Sequence, residues 1–164
     1  MEALSTAVAA ASVLSAGFIA YRELSEVASS RHMEVAYRLF EELNSPQNID
    51  ARRWIFQNLN GNPEDEIKTM TQEGRSAIKQ VLNSLDHVAF LTQAGWIPDD
   101  VIMPWMHPMI AKSWKKLKPF VLHERTRRHA PYYYQNIDQL AIRCVNWRSK
   151  HIPNTEVTWI EDAL

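Results

Sequence analysis

The sequence predicts an all-α protein. A long N-terminal helix, read as transmembrane in its first half, continues into a stem that packs against a compact helical bundle. Three observations predict this. First, Ala3–Tyr21 (ALSTAVAAASVLSAGFIAY) carries no charge and no proline, and passes into Arg22–Leu43 without a helix breaker. Second, beyond Leu43 apolar residues recur three and four apart between proline and Asn-Gly punctuation. Third, four glycines and few β-branched clusters offer little to a sheet.

The first element is judged by length. A bilayer core of about 30 Å needs about 20 apolar residues, and Ala3–Tyr21 is just long enough. Its hydrophobicity is mild, because Ala and Ser dominate. Glu2 precedes the run and no basic residue does, so a secretory signal peptide fits poorly. Arg22, Arg31 and Arg38 follow it, which places the N-terminus outside and the body in the cytoplasm. Small residues line up four apart at Ala7, Ala11 and Ser15, and at Ser12, Ala16 and Ala20, a spacing that lets helices approach closely in a membrane. The competing reading is an Ala-rich helix buried in a soluble oligomer. Leu24, Val27, Val35, Leu39 and Leu43 extend the helical period to Leu43, a rod of roughly 60 Å packed on the body along its second half.

Asn44-Ser45-Pro46 ends that helix and opens the next, Pro46–Leu59, with Ile49, Trp54, Ile55 and Leu59 inward and Arg52 and Arg53 outward. Asn60-Gly61-Asn62-Pro63 is a turn, and Glu64–Thr71 a charged helical turn. Gln72–Ala94 is amphipathic, with Ile78, Val81, Leu82, Leu85, Val88, Ala89 and Leu91 on the core side and Gly95 at its end. Asp99 or Asp100 caps the next helix, Val101–Arg128. Met103, Met106, Ile110, Trp114, Leu117 and Val121 form its seam, while Pro104, Pro108 and Pro119 predict a bend, with a break near Pro104–Pro108. Pro131 opens the last helix, Tyr132–Lys150, whose inner face is Ile137, Leu140, Ala141, Cys144 and Trp147. The organisation is therefore a span over 1–21, a helical cytoplasmic domain over 22–150 and a tail over 151–164 containing Trp159 and Ile160.

Chemistry is sparse. No phosphate loop, paired metal-binding histidines or nucleophile elbow occurs, and the six histidines never fall three or four apart. The expectation is a non-enzymatic protein without metal or cofactor. The single cysteine, Cys144, excludes an internal disulfide and reads as a buried hydrophobe. Asp86-His87 reads as helix surface. Six tryptophans suggest large packing surfaces, internal or facing a partner. Net charge is −1, yet Lys112, Lys115, Lys116, Lys118, Arg125, Arg127 and Arg128 crowd one stretch against Glu124 alone. Three readings compete: a solvated helix face, a patch for anionic headgroups, or a nucleic-acid backbone site aided by Tyr132, Tyr133 and Tyr134. No nucleic-acid module is recognisable, so lipid is preferred over nucleic acid, and the solvated face stays open beside it.

The order of elements is itself familiar. The apolar helix leads into Val35-Ala36-Tyr37-Arg38-Leu39-Phe40-Glu41-Glu42-Leu43, then Ala51-Arg52-Arg53-Trp54-Ile55. Val81-Leu82-Asn83, Asp86, Val88-Ala89, Leu91 and Gly95 follow, then the run from Ile110 to Phe120, Arg127-Arg128, Tyr132 and Leu140-Ala141. This resembles a bacterial family, domain of unknown function family 4760, up to about Trp147. The resemblance implies one N-terminal membrane helix and an all-helical cytoplasmic domain in the bacterial inner membrane. It implies no activity and no catalytic residues. The expected role is an accessory or scaffold subunit of a larger membrane complex, its partners being lipid and other membrane subunits. A soluble homo-oligomeric regulator is the alternative, and an enzyme assembled across the bundle a third.

Overall fold

Six helices follow one another in a computed structural model that describes residues 2–152, with side chains from Ser12 onward: α1 (Glu2–Leu43), α2 (Pro46–Asn58), α3 (Pro63–Thr69), α4 (Gln72–Gln93), α5 (Asp99–Arg128) and α6 (Gln135–His151). No strand occurs among the described residues. The fold is all-α. Ser45 caps α2 by accepting the Asn48 amide, and Thr71 caps α4 by accepting the Gly74 amide at 3.2 Å. Gly95, at φ +74°, turns the chain between α4 and α5 where a side chain would be strained. The tail containing Trp159 and Ile160 lies outside the described residues.

Helix α4 is the central post. Its Val81, Leu85, Val88 and Ala89 are buried, as the periodicity predicts. Helix α2 runs antiparallel to it, with Asn48 beside Ser84 and Trp54 over Gly74. Helix α6 runs parallel to α4 on another side: Tyr134 meets Asn83, Asn136 meets Asp86 and Arg143 meets Thr92. Helix α5 returns along both, tied to α6 by Arg125–Asp138 at 2.8 Å near one end and Arg143–Asp99 at 3.1 Å near the other. Met103, Ile110, Leu117, Ile137 and Leu140 fill the middle, each fully enclosed. Burying a side chain of this size contributes about 1.5–3 kcal/mol.

Several expectations are corrected. Helix α5 does not break at Pro104–Pro108 but continues as helix from Asp99 to Arg128. Pro104 and Pro108 sit on its exposed side, while Ile102, Met103, Met106 and Ile110 anchor the opposite face. Neither Asp99 nor Asp100 is its cap. Pro98 holds that position, and Asp99 lies in the first turn, paired with Arg143. The last helix starts at Gln135 rather than Tyr132, because Tyr134 adopts the left-handed conformation at φ 52° and reverses the chain first. On α2, Ile49 faces out and Ala51 faces in. Arg52 is half-buried and donates to the Leu43 carbonyl, closing the end of α1.

The largest correction concerns α1. Among its described side chains only Ala36, Leu39 and Leu43 are buried, with His32, Val35 and Glu42 half-buried. Every described residue from Ser12 to Arg31 is exposed. Helix α1 runs antiparallel to α4: Glu42 meets Ser84, while Leu24 to Arg38 lie level with Ala94, Gly95 and Trp96. Trp96 stands in the turn that ends α4, so Ser12 to Arg31 extend past the bundle, uncovered among the described residues.

Candidate functional site

A polar joint fixes where this projecting helix leaves the bundle. Asn48, wholly buried, donates through its amide to Ser84 Oγ at 2.9 Å and to the Glu42 carbonyl at 3.1 Å. The Ser84 hydroxyl donates to Glu42 Oε1 at 3.1 Å, and His87 Nδ1 lies 3.2 Å from Glu42 Oε2. Glu42 on α1 thus gathers Asn48 of α2 through its carbonyl, and Ser84 and His87 of α4 through its carboxylate. Ser84 and His87 both bind Glu42 rather than each other, so the set is no nucleophile–base pair. Sequence reasoning missed it because its members are spread along the chain.

Beyond the joint, apolar side chains stand open. An apolar groove of about 400 Å³ runs between α1 and the start of α5, lined by Met33, Tyr37 and Phe40 on one side and Val101, Trp105 and Met106 on the other. Phe40 and Trp105 meet edge to face, 6.4 Å between ring centres. Trp105 is nonetheless 75% exposed and Trp96 61%. On the other flank, Leu24, Val27 and Val35 face Trp96 across a wider groove. Further along α1, Val13, Leu14, Phe18, Ile19 and Tyr21 are all exposed. Of the small residues expected to pack helix on helix, Ser12, Ser15, Ala16 and Ala20 lie on this exposed rod, and the side chains of Ala7 and Ala11 lie outside the described residues.

The basic stretch does not form one patch. Lys112 lies 5.0 Å over the Phe56 ring, and Lys116 donates to the Leu59 carbonyl at 2.9 Å, capping α2. Arg125 is half-buried against Asp138 and also donates to the Tyr133 carbonyl at 2.8 Å. Arg127 and Arg128 converge on Glu124. Hydrogen bonds from Arg127 hold the Glu124 carboxyl down at about 2. Lys115 and Lys118 alone of the seven are exposed without a partner among the described residues. The sequence excess of positive charge is thus largely spent on internal ties.

Other candidates fall into place. Cys144 is buried 3.4 Å from the Met103 sulfur, and burial pushes its thiol up to about 12. Asp86 is half-buried, its carboxyl raised by desolvation and offset by a hydrogen bond from Asn136. His107 and His151 bracket the Trp147 ring at 5.1 and 4.5 Å. No group of three or more His, Cys, Asp or Glu able to hold a metal occurs among the described residues. Among those residues, no helix is long and apolar enough to cross a membrane. That statement does not reach the side chains ahead of Ser12, where half of the apolar run lies.

Fold and surface define a class: a helical bundle carrying one overlong helix whose apolar side chains its own core leaves uncovered. Residues 4–144 match the model of the domain of unknown function family DUF4760, and the chain belongs to that family. No curated protein matches the chain, and no solved structure does.

Proposed function

We propose that the chain is a non-enzymatic accessory or scaffold subunit of a larger membrane complex. The first half of α1 is its anchor in a bacterial inner membrane, with the N-terminus outside and the bundle in the cytoplasm. The observation that carries this reading is the uncovered apolar rod from Val13 to Tyr21. Apolar surface of that extent calls for lipid or protein cover. The charge pattern supports it. Among the described residues of α1, exposed ion pairs follow Tyr21, at Arg22–Glu26 (2.9 Å) and Glu34–Arg38 (2.7 Å), as a water-facing continuation would require. Trp96, Trp105 and Phe40 at the root of the rod suit a neighbouring subunit.

Fractionation tests the reading. The full chain is expected in the membrane fraction, released by detergent and not by alkaline carbonate. A monodisperse monomer recovered without detergent overturns it. A second reading, a soluble homo-oligomer with α1 buried between copies, is favoured by the absence of a membrane-crossing helix among the described residues. Light scattering in detergent-free buffer separates the two: a stable dimer or larger assembly there selects the second.

A further inference from the structure

The opening of α4 and the end of α5 enclose a cleft whose charge set no single stretch of sequence carries. Its volume is about 410 Å³, within the range of small-ligand sites. The floor is apolar, with Leu82, Phe120 and Val121 buried and Ile67, Met70 and Ile78 half-buried around them. The rim is cationic. Arg75 and Lys79, one turn apart on α4, are exposed and bind nothing among the described residues. Facing them are Arg127 and Arg128 from the last turn of α5.

The two arginines are held in place. Glu124 takes Arg127 through Nε at 2.8 Å and Nη2 at 2.7 Å, and takes Arg128 through Nε. The Arg128 guanidinium also lies 5.2 Å over the Tyr133 ring. One carboxylate cannot neutralise four cations, so a positive surplus remains above a greasy floor. Guanidinium groups fixed in this way retain N–H donors suited to carboxylate or phosphate oxygens. An uncharged apolar ligand would leave this rim unanswered, and a free inorganic anion would leave the floor unanswered.

We propose that the cleft binds one acyl chain and the charged end of an anionic amphiphile. The acyl chain lies on Ile67, Met70 and Ile78, and its carboxylate or phosphate end is held by Arg75, Lys79 and the free donors of Arg127 and Arg128. The proposal does not depend on whether α1 spans a bilayer.

Photolabelling of the full chain in phosphatidylcholine nanodiscs tests it. One arm supplies a free lysophosphatidate bearing a diazirine in its acyl chain, and the other builds a diazirine phosphatidylglycerol into the disc. Labelled peptides containing Ile67, Met70 or Ile78 are expected in at least one arm. The first arm alone identifies a free amphiphile as the source, and the second identifies a bilayer lipid. The R75E/K79E variant lies at exposed positions. It is expected to lower that labelling about tenfold without shifting the thermal midpoint. Unlabelled lysophosphatidate should compete and the matching neutral alcohol, monoacylglycerol, should not. Labelling unchanged in R75E/K79E, equal competition by the alcohol, or no label on those peptides in either arm overturns the proposal.

Discussion

At Gly74 a missing side chain does the packing. A Cβ there would overlap the Trp54 indole, and the α2–α4 seam closes only because none exists. Two effects oppose each other in Gly74→Ala. Alanine improves helix propensity by about 0.5–1 kcal/mol, whereas overpacking costs about 1–3 kcal/mol. The clash wins, so the variant is expected to lose about 1 kcal/mol in urea denaturation. In a Trp54→Ala background the same substitution should become neutral or favourable. Glu124 gives a pH-dependent counterpart. Its folded carboxyl is lowered from 4.5 to about 2, so its contribution is complete above 4.5 and lost as pH falls through 2. Glu124→Gln should therefore flatten the acid limb of stability between those two values, read as urea midpoint against pH. Residues of this kind divide sharply in legibility. Val81, Leu85 and Val88 announce burial by spacing. Asn48 does not, because Ser84 lies 36 residues away and Glu42 reaches Ser84 across 42.

Among the elements, α5 tests local rules against tertiary packing. Each interior proline removes a ladder bond and crowds the preceding turn, at about 3 kcal/mol in an isolated helix. The helix persists because its inner face from Ile102 to Val121 buries enough apolar surface to outweigh that cost. The rule was sound, and the balance lay in contacts that sequence does not display. Restoring the amide with Pro108→Ala should stabilise the bundle by roughly 1–3 kcal/mol, measured as a rise in urea midpoint with an unchanged slope. A fall would mean that the native helix is bent at that point and depends on the bend. The start of α6 was misplaced for a related reason. Pro131 is a good helix opener, yet the left-handed Tyr134 defers the helix to Gln135. The basic stretch was legible as charge and not as geometry, since Lys112 and Lys116 turn toward α2 while Arg127 and Arg128 turn toward α4.

For the whole molecule, the helix count and order were readable from periodicity and punctuation. How far α1 would pack was not, because an amphipathic stripe says that a face seeks cover and not whether the same chain supplies it. The bundle closes its core with α2, α4, α5 and α6 and takes only the end of α1. Deleting residues 1–31 is therefore expected to leave the thermal midpoint within a few degrees of the full chain. A collapse of the midpoint would mean that the rod is part of the folding unit.

The joint at Glu42, Asn48 and Ser84 also makes the protein a lever. Its fulcrum is a few hydrogen bonds at one end of a rod about 60 Å long. A rotation of about 5° at that pivot swings the far tip by roughly 5 Å over such a length. The orientation of the tip is therefore set by the few side chains that Glu42, Asn48 and Ser84 bring together.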